Sequence, residues 1–393
     1  MSSRPKIAFI SQRCGTEIVG GAENLCLNLA KNLSDYFDID ILTTCALDYM
    51  TWENHYESGN TRIFNFNILR FKTDFQRNVD AFNKLSEKVL LSSPNRDEEY
   101  DWIKSQGPYS STLISYIQQH KNDYSLFVFF TYLYGTTFFS LLDVSEKSVL
   151  IPLAHNELPL KLKIYDNVFL NANSFVFQTD EEKKLVLDRF NLKNIHSTII
   201  GPGIDSINDD DNSEFKNKYN FPYILYVGRV DESKGCNILY SYFKQFKAQF
   251  PSDLKLIFAG PKIQEFENNT DVIYLGKVDD SEKDYLLNNT LIFVMPSFFE
   301  SFSIATMEAW LAKKPVLVNE QCDVLKGHCE KSNGGLYFED YESFAACLNL
   351  LLSDSKLRQA MGSNGYEYVQ NNYTWKNVVN NYCNFLQSCI LKC

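Results

Sequence analysis

Two acidic residues with seven others between them, Glu300 and Glu308, stand in the segment Pro296–Ala309 (PSFFESFSIATMEA). A short apolar run precedes the segment and a helical pattern follows it. The spacing puts Glu300 in a loop and Glu308 about two turns into the helix. Ser301 or Ser303 can cap that helix, and the free N–H groups of its first turn can hold a phosphate. One carboxylate near the anion and one farther along suit a ligand with hydroxyls at both ends, such as a sugar nucleotide. Taken alone, the segment fits equally an ordinary helix start with acidic residues near its positive end.

A second loop, Gly228–Gly235 (GRVDESKG), also follows an apolar run and feeds a helix. Arg229 and Lys234 lie five apart on it. Two fixed cations there can neutralise a diphosphate and steady it as it leaves; a solvated basic loop is the plain alternative. The N-terminal loop Gln12–Gly21 (QRCGTEIVGG) joins a first strand to a helix. It does not fit G-x-G-x-x-G, and no phosphate-loop Lys-Ser/Thr follows, so it gives an NAD site little support. Gly20 and Gly21 let the backbone approach a ligand at the helix start. His155, in Ala154–Glu157 (AHNE), comes after an apolar run. At the C-terminal end of a parallel strand it would face a ligand crevice and could bond a sugar, although a lone histidine can equally be structural.

These loops need a repeated strand–helix scaffold. Short apolar runs at Lys6–Ser11, Asp38–Thr44, Leu126–Thr131, Ser148–Pro152, Ser174–Gln178 and Thr198–Ile200 predict buried strands of a first parallel sheet covered on both faces. Ala22–Leu33 has helical spacing. The polar, aromatic stretch from about Tyr49 to Tyr109 carries helix signals near Val79–Leu91 and otherwise yields no assignment. Gly201–Asp205 (GPGID) predicts a turn, and Asn208–Ser213 (NDDDNS) an acidic linker in which Asp209–Asp211 is linker rather than metal site. The pattern then restarts, with strands at Tyr223–Val227, Leu254–Ala259, Val272–Leu275, Leu291–Met295 and Pro315–Val318. Helices are expected at Ile238–Phe250, Ser281–Asn288, Ser303–Ala312, Tyr341–Ser353, Ser355–Gln370 and Trp375–Leu386.

A chain of 393 residues is long enough for two domains. The apolar share of 45% is ordinary for a globular protein, and 30 Phe with 23 Tyr predict aromatic-rich cores. A net charge of −11 argues against a nucleic-acid partner. The ten cysteines are scattered and form no CxxC pair, which fits reduced thiols in a cytoplasmic protein. The N-terminus lacks the pattern of a signal peptide. Leu126–Leu142 (LFVFFTYLYGTTFFSLL) nearly reaches membrane-spanning length, but Gly135, three Thr, Ser140 and two Tyr favour a buried strand, a turn and an amphipathic helix.

Together the Gly20–Glu23 loop and helix, the His155 loop, the turn at Ile199–Asp205, Gly228–Arg229 with Lys234–Gly235, Ala259–Pro261 and the Glu300/Glu308 pair resemble family 4 of the retaining glycosyltransferases. That resemblance spans nearly the whole chain in order, the glutamate pair being its most specific part. Thr43–Asp48 (TTCALD) and Thr51–Asn54 (TWEN) are similar to a bacterial subgroup of surface-polysaccharide enzymes. The family implies an α/β GT-B fold, two Rossmann-like domains with a cleft between them. They would be residues 1–205 on the acceptor side and 206–374 on the nucleotide-sugar side, with 375–393 a helix crossing back. It implies transfer of a hexose from a nucleoside diphosphate sugar to a glycan, lipid-linked or other hydroxyl acceptor, without cofactor or metal. Peripheral contact with the cytoplasmic face of the membrane is compatible with it. By the resemblance, Glu300 binds donor-sugar hydroxyls, Glu308 the ribose, and Arg229 and Lys234 the diphosphate, aided by the amides of Ser303, Ile304 and Ala305. Gly20 and Gly21 lie close to phosphates and acceptor, and His155 close to the anomeric carbon. The family pattern has Gly where this chain has Ser301 and Ser303, which bears on donor identity. A sugar-nucleotide epimerase or hydrolase, or an inactive carbohydrate-binding partner protein, are the alternatives.

Overall fold

The computed structural model describes residues 4–392 apart from 19, 209–212, 264–265 and 268. The expected linker Asp209–Asp211 therefore lies outside the described residues. Contacts divide the chain into two units, Met1–Gly201 with Val378–Cys393, and Pro202–Asn377.

The first unit is built on eight strands: β1 Lys6–Ile10, β2 Asp38–Thr44, β3 Gly59–Ile63, β4 Phe66–Phe71, β5 Leu126–Phe130, β6 Ser148–Ile151, β7 Ser174–Phe177 and β8 His196–Ile199. Their order is β3-β4-β2-β1-β5-β6-β7-β8. Central strands such as β5 (LFVFF) are buried at every residue, because helices cover a parallel sheet on both faces. The sheet is not wholly parallel as expected. The unassigned aromatic stretch supplies a β3–β4 antiparallel hairpin at the edge. There β4 alternates buried and half-buried residues, and β3 (GNTRI) is almost entirely exposed. A polar strand at an edge carries little apolar signal and resists further pairing. Helices Val79–Leu90 and Arg96–Gln106 complete that stretch, the second opened by a capping box between Asn95 and Glu98.

Leu126–Leu142 departs from expectation after its strand. The chain leaves β5 through Thr131, at φ 62°, and forms only a four-residue helix, Gly135–Phe138, before a 3-10 turn at Leu141–Lys147. Thr137 Oγ1 donates to the Thr131 carbonyl at 2.7 Å and fixes the bend, so no continuous amphipathic helix forms. Among the described residues no helix is long and apolar enough to cross a membrane.

The second unit carries β9 Tyr223–Val227, β10 Lys255–Ala259, β11 Val272–Gly276, β12 Ile292–Met295, β13 Val316–Asn319 and β14 Gly335–Phe338. All neighbours are parallel, in the order β11-β10-β9-β12-β13-β14. This is the doubly wound order, and it reverses direction between β9 and β12. The last strand and the helix before it, Asp323–Ser332, were not foreseen. The strand is four residues opening on Gly335, whose added Cβ would lie 2.4 Å from the Val316 carbonyl oxygen. That glycine serves close packing, which periodicity does not reveal.

The unit boundary falls before Pro202, ahead of the end of the expected turn. Residues 203–205 pack on the second unit: Ile204 N–H donates to the Tyr373 carbonyl at 2.8 Å, and Trp375 Nε1 donates to Asp205 at 2.8 Å. The helix Trp375–Ile390 then enters the first unit, burying Val378, Tyr382, Phe385, Leu386 and Cys389. His196 of β8 stacks on Phe385 with ring centroids 4.9 Å apart.

Candidate functional site

In a doubly wound sheet the loops leaving the carboxyl ends of the two strands flanking the reversal diverge to opposite faces and leave a crevice. In the second unit those strands are β9 and β12. The loop after β9 carries Arg229 and Lys234, and the loop after β12 carries Glu300. The fold thus brings together residues 66 positions apart: Lys234 Nζ lies 2.7 Å from Glu300 Oε1. The two side chains are 30% and 13% exposed, so the pair remains reachable from solvent.

The backbone shapes this meeting. Gly235 sits at φ 72°, ψ 15°, and ends a one-turn 3-10 helix before helix Cys236–Gln249. A Cβ there would lie 2.2 Å from the Pro296 carbonyl oxygen. That carbonyl also accepts from Asn319 Nδ2 at 3.1 Å, so it is held in place. Asp231 caps the same short turn, accepting Lys234 N–H at 3.0 Å and Ser233 Oγ at 2.6 Å. It also pairs with Arg229 Nε. Burial pushes the Asp231 carboxyl up, but the bonds from Ser233 and Arg229 outweigh it and hold it below the usual range. Arg229 is thus tied to its own loop through Asp231.

Helix Ile304–Leu311 begins after Ser303, and no side chain caps it. The amide groups of Ile304 and Ala305 lie in its first turn, where intrahelical partners are lacking. Ser303 adopts φ 72°, ψ 77°, a region that favours glycine. Its hydroxyl bonds Thr306 Oγ1 at 2.9 Å, which offsets part of the strain. Replacement by glycine should change stability by no more than about 1 kcal/mol in either direction, since relief of strain and loss of one hydrogen bond nearly cancel. Ser303→Val should cost about 2 kcal/mol, because a β-branched residue is poorly tolerated there. Urea titration of both variants checks the pair; equal midpoints would refute the backbone argument.

Glu308 lies on the second turn, where Lys283 of helix Asp280–Asn289 meets its Oε1 at 2.9 Å. Burial raises the Glu308 carboxyl above its ordinary value, against the pull of Lys283. Burial also works against charge on Lys283, but Glu308 and the neighbouring Asp280 and Asp284 outweigh it and raise its value. The two directions agree physically, because the same aspartates repel Glu308 and attract Lys283.

Gly20, Gly21 and His155 belong to the first unit. Gly20 precedes helix Gly21–Leu33, and a Cβ on it would lie 2.3 Å from Glu23 Oε2. Glu23 is held by Arg13, whose Nε is 2.8 Å and Nη2 2.5 Å from Oε1, with both residues 6% exposed. Gly20 is thus explained by an internal ion pair. Gly21 has nothing within 4 Å of an added Cβ, so packing does not require it. His155 follows β6, one strand beyond β5, and its Nε2 is 3.3 Å from Glu157 Oε2. Glu157 accepts Tyr132 OH at 2.7 Å. Below this loop Glu182 is fully buried and accepts the N–H groups of Ala154 at 2.7 Å and Gln178 at 2.6 Å; burial pushes its carboxyl up to about 7.

Sequence reasoning missed Lys283, Asp231, Glu157 and the Arg13–Glu23 pair. Glu157 stands two residues after His155, a spacing that could have flagged it. Lys283 carries no local signal, since only the fold brings it to Glu308. An open hollow of about 630 Å³ lies beside the Arg229 loop, lined by Asp231, Glu232, Ser233 and Ile263. Among the described residues no group of three or more His, Cys, Asp or Glu could hold a metal ion.

Residues 208–368 match the family described as glycosyl transferases group 1. The chain is 26% identical over 197 residues to the capsular polysaccharide biosynthesis glycosyltransferase CapM of Staphylococcus aureus, covering 45% of this chain and 51% of that one. The chain spans about half the length of the curated relatives it matches. Among solved structures, the sucrose-phosphate synthase of Thermosynechococcus elongatus superposes with a TM-score of 0.72 at 16% identity, covering 99% of this chain and 100% of that one. Anabaena Alr3699/HepE, in complex with UDP and glucose, gives 0.70 at 15% identity, covering 98% and 100%. The fold is that of the GT-B glycosyltransferases, two α/β units of Rossmann type. The family match supports a group 1 glycosyltransferase relationship.

Proposed function

We propose that the chain is a retaining glycosyltransferase of family 4 that moves a hexose from a nucleoside diphosphate sugar to a hydroxyl acceptor. The observation that carries this reading is the Lys234–Glu300 contact at the reversal of the second sheet. A cation beside a sugar-binding carboxylate is what a diphosphate joined to a sugar requires. On this reading Lys234 turns from Glu300 to the leaving diphosphate as donor enters. Glu300 then takes the donor-sugar hydroxyls, and Glu308 takes the ribose. Arg229 and the first-turn amides of helix Ile304–Leu311 add positive potential around the phosphates.

The step breaks the bond between the anomeric carbon and the phosphate oxygen. A bond from the acceptor oxygen forms on the same face, and the acceptor proton passes to the departing phosphate. No strong protein base is needed, so the protein contributes orientation and charge stabilisation. The charge on the leaving group is met by Lys234 and Arg229, with no metal ion assigned a part. The capsular-polysaccharide relative supports a role in surface-polysaccharide synthesis. On this reading the acceptor is a glycan or a lipid-linked glycan, met at the cytoplasmic face of a membrane.

The test is a thermal-shift panel of nucleoside diphosphate sugars, followed by nucleotide release with and without acceptor. UDP sugars come first, because the Anabaena protein holds UDP and UDP-glucose. Expected is stabilisation by one nucleotide class and release that depends on acceptor. Stabilisation by none would overturn the reading. Equal release without any acceptor would point to a hydrolase.

A further inference from the structure

We propose that Lys283 is a positioning residue for the nucleotide subsite: it pins Glu308 as an oriented anion so that the ribose diol can be received. This rests on the reading of Glu308 given above. Lys283 reaches across from helix Asp280–Asn289 to helix Ile304–Leu311, with Nζ 2.9 Å from Glu308 Oε1. The side chains are only 24% and 18% exposed, so neither charge is well hydrated. Among the described residues only Oε1 of the Glu308 carboxylate has a hydrogen-bond partner, which leaves Oε2 to accept from a ligand hydroxyl.

Glu308 needs such a cation because its surroundings otherwise oppose its charge. Among the described residues the charged groups that act on it most strongly are Lys283, Asp284 and Asp280. Asp280 is 3.6 Å from Lys283 and lies in solvent at 97% side-chain exposure. Asp284 is 8% exposed and accepts the Asn208 N–H at 3.0 Å. Two acidic neighbours and burial both favour a protonated Glu308, which would offer a vicinal diol one acceptor fewer. Lys283 supplies the opposing charge. Its role is distinct from that of Lys234, which lies in the turn after β9 beside Glu300.

The alternatives are that Lys283 merely braces two helices, or that it competes with the ribose for Glu308. All three are separated by the binding of UDP, or of the nucleoside diphosphate returned by the donor panel. Binding is measured by calorimetry on the full chain, on Lys283→Met and on Lys283→Arg, from about pH 5.5 to about pH 8.5. Expected is about tenfold weaker binding by Lys283→Met near pH 6, a gap that closes as pH rises, and rescue by Lys283→Arg. A loss of the same size at every pH would make Lys283 a brace, and equal or tighter binding would make it a competitor; either overturns the proposal. Carbon NMR of the glutamate carboxyls, with Glu308→Gln for assignment, supplies a readout free of nucleotide. The Glu308 titration midpoint should rise in Lys283→Met, and an unchanged midpoint would also overturn the inference. Failure of the unaltered chain to bind any nucleotide would defeat the reading of the site itself, and this inference with it.

Discussion

Lys234→Ala is expected to lower sugar-transfer turnover by on the order of a hundredfold or more, and Glu300→Ala to do the same. The reason is that each contributes to the transition state more than to the resting fold. When the phosphate bond stretches, negative charge grows on the leaving oxygen, and a fixed ammonium then gains interaction energy that it lacks in the ground state. In the structure the same ammonium lies 2.7 Å from Glu300 Oε1, with side chains 30% and 13% exposed. Removal of either partner leaves the other within reach of water, so the stability loss should stay near about 1 kcal/mol. Because both serve one ligand, the double variant should lose far less than the product of the single losses. Kinetics on the three variants, with urea titration to certify folding, make the test. Near-normal turnover by a folded Lys234→Ala chain would count decisively against the proposed chemistry.

The second large effect concerns a position with no side chain. Gly235→Ala should destabilise the second unit by about 3 kcal/mol or more and abolish nucleotide binding. Two costs add there. At φ 72° any Cβ strains the backbone, which alone costs about 1 kcal/mol. In addition the methyl would lie 2.2 Å from the Pro296 carbonyl oxygen, which Asn319 holds at 3.1 Å. Gly276→Ala is the control: its φ is 70°, and nothing lies within 4 Å of its added Cβ. It should show the backbone cost alone. If both variants unfold at the same urea concentration, the close approach of the two loops is not what Gly235 provides.

Much of the scaffold could be read from residue order. Buried parallel strands are short apolar runs, so β2 and β9 fall at the expected bounds and most others within a residue or two. Pro296–Ala309 and Gly228–Gly235 could be placed on strand–loop–helix units for the same reason. Their meeting at β9 and β12 follows from strand order, which no local pattern encodes. Lys283 was invisible because its partner is 25 residues away and on another helix. The β3–β4 hairpin escaped because an exposed edge strand such as GNTRI carries no apolar alternation. Gly20 shows the reverse difficulty. Its place before a helix suggested ligand approach, yet the Arg13–Glu23 pair already excludes a side chain there.

The return of residues 378–393 to the first unit has a consequence for synthesis on the ribosome. The second unit emerges whole before the first has received its last helix. Until then His196 lacks the Phe385 ring that stacks on it, and the surface that buries Phe385, Leu386 and Cys389 stays open to water. The earlier-made half is thus the later to mature. Loss of the helix beyond residue 377 would leave that half permanently unfinished while the other could still fold.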